Sequence, residues 1–463
     1  MAVLDRFFQL SERGTTVGRE VRGGVTTSMA MAYIILLNPI ILAGAHDVTG
    51  AKLTIGQLTT STALAAAVST LLMAFVGNAP FGLAAGLGLN AVVAYQAAPF
   101  MTWAQAMGLV VLEGAVIIVL AVTGLRTLIM NAIPLALKHA ISVGIGLFIA
   151  LIGFVDAGFV TAGTGTPVQL GRAGHLAGWP VTVFSFGLLL MIVLYVRRTP
   201  AAILISIVVT TVLAVVVNSV SRVRPGAWGV VTPRMPRSLI SAPDFGLVGQ
   251  VDLFGGFVRA GALTATVVLF TLVLSGFFDA MGTIIGVSDE AGMVDSLGRV
   301  PRLGAILTVD GVAGMVGGAA SASANTVFVE SAAGVGEGAR TGLASVVTGA
   351  LLGLTLLFTP LAAVVPAAAA APALVLVGAL MMTQSRNVPW VDLELAIPAF
   401  LTIALMPFTY SITNGVGAGL ISYTLIKAAR GRFAEIPWLL WVVSAIFLAY
   451  FGITALEELF VAR

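Results

Sequence analysis

Five carboxylates interrupt otherwise apolar stretches of this sequence: Glu113, Asp156, Asp279, Asp310 and Glu330. A charge inside a membrane-spanning segment costs about 2.5–3.5 kcal/mol on insertion scales, so each such acid is a functional hypothesis in its own right. An ionised carboxylate only accepts hydrogen bonds. Two of them facing each other suit a flat ligand with several N–H donors, and Phe277, Phe278 and Phe328 stand beside Asp279 and Glu330 as apolar or stacking walls. Asp156 falls nearer a span end. No Lys or Arg lies within these central segments, which counts against an inorganic anion as ligand. The plainer role for a single acid is a hydrogen bond to Ser, Thr, Asn or a backbone N–H that serves helix packing. Glu113 reads first in that way, Asp310 in either way, and Asp279 and Glu330 as ligand groups. His139 reads as an interfacial residue, and Tyr33 and Tyr95 as packing residues.

The elements that must position these groups follow from composition. Of 463 residues, 59% are hydrophobic and 9% charged, where a soluble domain carries about 25% charged residues. That excludes a soluble enzyme. A helix rising about 1.5 Å per residue needs about 20 residues to cross a hydrocarbon core of about 30 Å, which leaves room for roughly 12–15 crossings. Residues 63–76, 110–122, 181–196 and 343–359 are apolar almost throughout and lack the alternation of a membrane β-barrel. The absence of cysteine and the presence of three scattered histidines remove disulfides, thiol catalysis and the usual zinc sites, so neither metal nor cofactor is expected. The formal charge of +3 is read as membrane topology rather than as a nucleic-acid surface. Residues 1–24 are charged and amphipathic with no cleavable signal, so the first span is expected to act as the insertion signal.

Apolar windows place spans at 26–44, 58–76, 104–124, 140–154, 181–196, 201–217, 263–286, 303–316, 343–365, 372–382 and 395–409. Residues 81–100 and 317–338 are Gly/Ala/Ser-rich and poorly continuous, and 417–426 is short for a crossing. With these the count is about fourteen. Numbered from a cytoplasmic amino terminus, Arg6, Arg13, Arg19, Arg22, Arg126, Lys138, Arg197, Arg198, Arg299, Arg302, Arg340, Arg386, Lys427, Arg430 and Arg432 all fall on the inner side. Short outer loops hold only Lys52 and Arg172. Residues 218–259 read as an ordered outer crossover between halves, and 436–451 as an interfacial helix on the inner face.

Placing residues 82–92 over 317–327, an offset of 235, matches Gly82 with Gly317, Asn90 with Asn325 and Val92 with Val327. Seven elements per half would invert the second copy, and matched Gly-interrupted segments point to discontinuous helices that line a midplane cavity. On that register residues 83–89 and 318–324 are extended, and half-helices starting near Asn90 and Asn325 direct their positive ends at a shared site. Glu330 then lies about one turn into the second half-helix. In such a water-poor site Asp279, Glu330 or a nearby acid such as Asp310 or Glu113 is able to exchange a proton as its hydration changes.

Five segments together carry a family resemblance: Gly-Gly-Val-Thr-Thr-Ser-Met-Ala-Met-Ala-Tyr-Ile-Ile-Leu-Leu-Asn-Pro at 23–39, Gly-Leu-Gly-Leu-Asn-Ala at 86–91, Phe-Phe-Asp-Ala-Met-Gly-Thr at 277–283, Val-Glu-Ser-Ala-Ala-Gly at 329–334 with Ala-Arg-Thr-Gly at 339–342, and Met-Pro-Phe-Thr-Tyr-Ser-Ile at 406–412. From about Arg19 to Arg430 the sequence resembles the AzgA-like adenine/guanine/hypoxanthine permeases of the xanthine/uracil permease (nucleobase-ascorbate transporter) family. The resemblance implies an all-α polytopic protein of fourteen transmembrane segments in two inverted seven-element repeats, with elements 3 and 10 broken by short extended segments. It implies a core of 26–124 and 263–365 and a gate of 125–217 and 366–430, which the charge and hydropathy pattern flanks with a cytoplasmic segment 1–25, an extracellular crossover 218–262 and a C-terminal interfacial segment 431–463. It further implies proton-coupled purine uptake through the cell membrane by an elevator-type cycle, and a homodimer. The implied substrate residues are Asp279, Glu330 and Asn90, and Phe277, Phe278, Asn325 and Thr326 join them as candidates. The run Ser323-Ala-Asn325 and the pair Ala280-Met281 depart from the family pattern, which bears on Asn325 and on purine preference.

Other readings keep the fold and change the cargo to xanthine, uracil or an inorganic anion, or change the class to a channel or a membrane enzyme. Asp279 and Glu330 argue against the anion. A channel would show rings of repeated residues and an enzyme a nucleophile, metal cluster or cofactor loop.

Overall fold

The computed structural model describes residues 2–124, 133–163, 165–172, 174–236, 238–293, 300 and 302–452. Arg126 and Arg299, expected on the inner side, lie outside the described residues, as does the end of the C-terminal segment.

After a short helix α1 (Ala2–Phe8), the first membrane element is split into α2 (Val17–Met31) and α3 (Ile34–Gly44) by tight turns at Ala32 and Tyr33. Element 2 is α4 (Ile55–Leu72), extended by a wide turn that ends at Asn78 in the left-handed region. Element 3 is the strand β1 (Leu83–Ala85) followed by the half-helix α5 (Leu87–Val92), and element 4 is α6 (Trp103–Thr123). Elements 5 to 7 are α7 (Leu135–Asp156), α8 (Trp179–Val196) and α9 (Ala202–Ser221), with a small hairpin of β2 (Val160–Thr161) and β3 (Gln169–Leu170) between the first two.

The second half starts after a short helix α10 (Gly255–Arg259) with α11 (Ala262–Glu290) and α12 (Leu303–Ala319). Element 10 is the strand β4 (Asn325–Val327) and the half-helix α13 (Ser331–Gly336). Elements 11 and 12 are α14 (Gly342–Leu354), continued by α15 (Thr359–Ala362), and α16 (Ala367–Met381). Elements 13 and 14 are α17 (Leu393–Phe408) and α18 (Ile412–Ala429), after which α19 (Trp438–Phe451) follows. Fourteen elements in two seven-element repeats are thus accounted for, and among the described residues nine helices are long and apolar enough to cross a membrane.

The two broken elements meet in the middle. β1 and β4 pair antiparallel, Leu83 with Val327, Ala84 with Thr326 and Ala85 with Asn325, and Gly86 N and Phe328 N extend the ladder to Ala324 O and Gly82 O. Irregular backbone at membrane depth survives only where protein satisfies its polar groups, and here each break satisfies the other. Ser321 and Ser323 hold positive φ values of 60° and 67° in the turn that delivers β4, a conformation costly for non-glycine residues.

Several sequence expectations change here. The first membrane element begins at Val17, well before residue 26, because Thr16 caps α2 by accepting from Arg19 N. The short window 417–426 belongs to the 18-residue helix α18, whose Gly and Ser residues dilute its hydropathy without breaking it. The register of the repeat also shifts. Gly317 and Gly318 lie in α12 rather than in an extended segment, and the half-helices start at Leu87 and Ser331 rather than near Asn90 and Asn325. The halves are therefore offset by more than 235 residues, and Asn90 has no counterpart in Asn325. Runs of Gly, Ala and Ser look alike in several registers, and only strand pairing chooses among them.

Most helix packing falls within two groups, one formed by elements 1–4 and 8–11 and the other by elements 5–7 and 12–14. Glycine sets the closest approaches in each. A Cβ on Gly114 of α6 would stand 2.4 Å from Gly311 O of α12, and a Cβ on Gly378 of α16 would stand 2.4 Å from Gly146 O of α7. Small residues let backbones meet where lipid supplies no hydrophobic drive between helices. The last helix, α19, packs on α18 and α11 through Leu440 and Phe447, with Ser444 Oγ 2.8 Å from Thr424 Oγ1.

Candidate functional site

A cavity of about 300 Å³ lies between the two groups, at the lower end of the ~300–1,000 Å³ range of small-molecule sites. One wall comes from the breaks and from α11. Ser275, Asp279 and Thr283 recur at intervals of four and line the cavity as one stripe of that helix. Gly86 to Leu89, at the start of α5, and Val327 to Glu330, between β4 and α13, complete that wall with Tyr33. The opposite wall is Ser142, Ile145 and Ile149 of α7 with Val377, Leu380, Met381, Thr383 and Gln384 from α16 and the turn after it.

Glu330 occupies the N-cap position of α13, not a place one turn inside it. Tyr33 Oη donates to Glu330 Oε1 at 2.5 Å. The break in element 1 aims that hydroxyl, since Tyr33 caps α3 in the two-residue turn between α2 and α3. Asp279 is exposed to the cavity space, and Phe328 lines it. Asp279 also borders a second, adjoining cavity of about 260 Å³, whose lining includes Lys138, His139 and Phe278. Lys138 Nζ lies 5.4 Å from the Phe278 ring centroid, within cation–π range.

Other candidates sit behind this surface. Phe277 is buried and meets Phe278 edge-on at 5.6 Å between centroids. Asn90 is fully buried with neither amide atom partnered, while Asn325 Nδ2 donates to Ser69 Oγ at 3.0 Å. Thr326 Oγ1 donates to Asp310 Oδ1 at 3.0 Å, and Val327 N donates to the same oxygen at 3.1 Å. Asp310 thus holds β4 in place. Glu113 fills the space left by two glycines: a Cβ on Gly276 would stand 2.5 Å from its Oε1 and one on Gly314 3.1 Å from its Oε2. The structure therefore brings Asp279, Glu330 and Phe328 to one cavity and Phe278 to its neighbour. It leaves Asn90, Phe277, Asn325, Thr326, Asp310 and Glu113 off both linings.

Sequence reasoning took Tyr33 for a packing residue, whereas it lines the cavity and bonds Glu330, and it passed over Ser142, Ser275, Thr283 and Gln384. The four-residue spacing of Ser275 and Thr283 about Asp279 was a signal for two of them. Tyr33, Ser142 and Gln384 reach the cavity through tertiary placement, for which the local sequence has no mark.

The two groups also touch outside the cavity lining. Gln96 Oε1, from the turn after α5, accepts from Ser411 Oγ, Thr413 N and Thr413 Oγ1 at the start of α18. Tyr95 meets Tyr410 edge-on at 5.3 Å, and Tyr410 meets Phe148 of α7 at 5.1 Å.

Two inverted repeats with crossed broken helices, and a ligand-sized cavity between two helix groups, define a membrane transporter. The solved transmembrane domain of a cyanobacterial bicarbonate transporter, BicA, shares this fold with a TM-score of 0.61 at 15% identity, covering 87% of this chain and 97% of that one. The model of the xanthine/uracil permease group, described as a permease family, matches residues 18–418, and the chain belongs to that family. Among its relatives, the guanine/hypoxanthine permease PbuG of Bacillus subtilis is 35% identical over 457 residues, 96% of this chain and 98% of that protein. The adenine permease AdeP of Escherichia coli is 36% identical over 450 residues, 96% and 95% of the respective chains.

Proposed function

We propose that this chain imports purine nucleobases by proton symport across the cell membrane, with a cytoplasmic amino terminus and an elevator-type cycle, and works as a homodimer. The observation that carries the reading is the convergence of Asp279 and Glu330 on one cavity of nucleobase size. Both accept hydrogen bonds, and guanine, hypoxanthine and adenine all carry ring N–H donors. Phe328 and the aliphatic residues around it supply an apolar slot for a flat ring. An anion such as bicarbonate finds like charge on this wall, so the fold shared with BicA does not carry its cargo here.

In the proposed cycle, the group formed by elements 1–4 and 8–11 carries the two acids past the other group. The contacts of Gln96 with the start of α18 and of Tyr95 with Tyr410 close one side in this proposal, while the adjoining cavity beside Lys138 and His139 leads away on the other. Of the four acids considered for the proton, Asp279 and Glu330 border the cavity and are the proposed carriers. Asp310 and Glu113 take structural parts. The test is concentrative uptake of labelled guanine, hypoxanthine and adenine in cells lacking their own purine permeases, with and without an uncoupler. In proteoliposomes an inward proton gradient is expected to drive accumulation and to acidify the interior. Uptake that follows a sodium gradient and ignores the proton gradient overturns the coupling, and the absence of purine uptake overturns the reading.

A further inference from the structure

The walls of the cavity are chemically unlike. The wall of breaks and α11 presents acceptors, Asp279 and Glu330, whereas the facing wall presents Ser142, Thr383 and Gln384. Gln384 borders both the central cavity and the adjoining one, as do Ser142 on its own wall and Asp279 on the other. It sits in the tight turn Met382–Asn387 that follows α16. Asn387 Nδ2 donates to Gln384 Oε1 at 3.0 Å, and His139 of α7 lines the adjoining cavity with it. A carboxamide has one acceptor oxygen and two N–H donors. The oxygen spends one of its two lone pairs on Asn387, and the two N–H groups are the donors that Gln384 offers a ligand.

We infer that Gln384 is a specificity-determining residue whose amide N–H meets the substituent at C6 of a purine and selects 6-oxopurines, hypoxanthine and guanine, over the 6-aminopurine adenine. The inference rests on the purine-transport reading above. A 6-oxopurine offers a carbonyl acceptor at C6 beside an N1–H donor, so it satisfies a donor on one wall and a carboxylate on the other. Adenine inverts both groups: its C6 amine opposes the Gln384 N–H, and its unprotonated N1 opposes a carboxylate. A site built to hydrogen-bond one group rejects the inverted one because the partners on both sides go unpaired. The relatives do not decide the matter, since guanine/hypoxanthine and adenine permeases are about equally similar to this chain.

The experiment is uptake of labelled hypoxanthine by cells expressing the full-length chain, competed with unlabelled hypoxanthine or adenine, and read beside surface expression. Adenine is expected to compete about tenfold or more weakly than hypoxanthine in the wild-type chain. Gln384→Glu, which puts an acceptor where the N–H stood, should shift the ratio toward adenine, and Gln384→Ala should narrow it. Equal competition in the wild-type chain, or a ratio unchanged in an expressed variant, overturns the role of Gln384. A wild-type chain that is surface-expressed but takes up no purine overturns the transport reading instead, so the two failures are told apart.

Discussion

Tyr33 and Glu330, 297 residues apart in sequence, share a hydrogen bond of 2.5 Å from the tyrosine hydroxyl to Glu330 Oε1. The bond ties the break in element 1 to the cap of α13 in element 10, so one repeat orients the proposed ligand group of the other. Glu330 has a second oxygen for a substrate. Its side chain is thus held, not spent, by Tyr33.

Tyr33→Phe keeps the ring and removes only the donor. Hydrogen bonds to charged groups are worth about 1.5–3 kcal/mol, less where water in a cavity replaces the lost partner. The expected outcome is a rise of about tenfold in the apparent KM for purine uptake, with surface expression and thermal unfolding like those of the wild-type chain. Uptake titrations measure it, and an unchanged KM would show that Tyr33 merely packs.

Glu330→Gln and Asp279→Asn each replace one acceptor oxygen with an amide that meets ring N–H groups donor to donor. Each variant is expected to reach the membrane at wild-type levels and to lose purine uptake, with affinity down more than about tenfold. Binding of labelled purines to purified variants separates this from a defect in reorientation. Wild-type affinity in either variant removes that acid from the site.

Much of this arrangement was legible in the sequence. Asp279 and Glu330 announced themselves because a carboxylate in an apolar span needs a reason, and the Gly-rich stretches marked both broken elements. What failed was register. Hydrogen bonding between β1 and β4 fixes where the breaks lie, and it involves backbone groups that every residue type carries. The same limit explains Asn90, which a linear match set beside Asn325 and which the fold buries away from the cavity. Gln384 and Ser142 belong to the facing helix group, so their part depends on how two bundles dock, a relation that no single segment encodes.

Asp310 separates a structural acid from a proton carrier. One of its oxygens accepts from both Thr326 Oγ1 and Val327 N, which fixes β4 against α12. Asn at this position keeps an acceptor oxygen, whereas Ala leaves two buried donors unmet at about 1–3 kcal/mol each. Asp310→Asn is therefore expected to retain proton-driven uptake, and Asp310→Ala to lower the unfolding temperature in detergent. Loss of coupling with wild-type stability in Asp310→Asn would return Asp310 to the proton path.

A pH signature is expected from the loop after α3. Asp47 Oδ1 accepts from Thr49 N at 2.9 Å, Thr49 Oγ1 at 2.6 Å and Ala51 N at 3.0 Å, and Asp47 Oδ2 accepts from Trp103 N at 3.1 Å at the start of α6. Burial pushes the carboxyl up, but the bonds from Thr49, Ala51 and Trp103 together outweigh it and hold the group below its ordinary value. A carboxyl lowered on folding favours the folded state wherever it is ionised in both states, which is above about pH 4. That contribution fades as pH falls through the lowered value and is absent below it. Thermal unfolding of the wild-type chain and of Asp47→Ala is accordingly expected to differ most near neutral pH and to converge below about pH 3. A difference that stays constant from pH 7 to pH 3 would mean that Asp47 acts by packing, with no part for its charge in joining the loop to element 4.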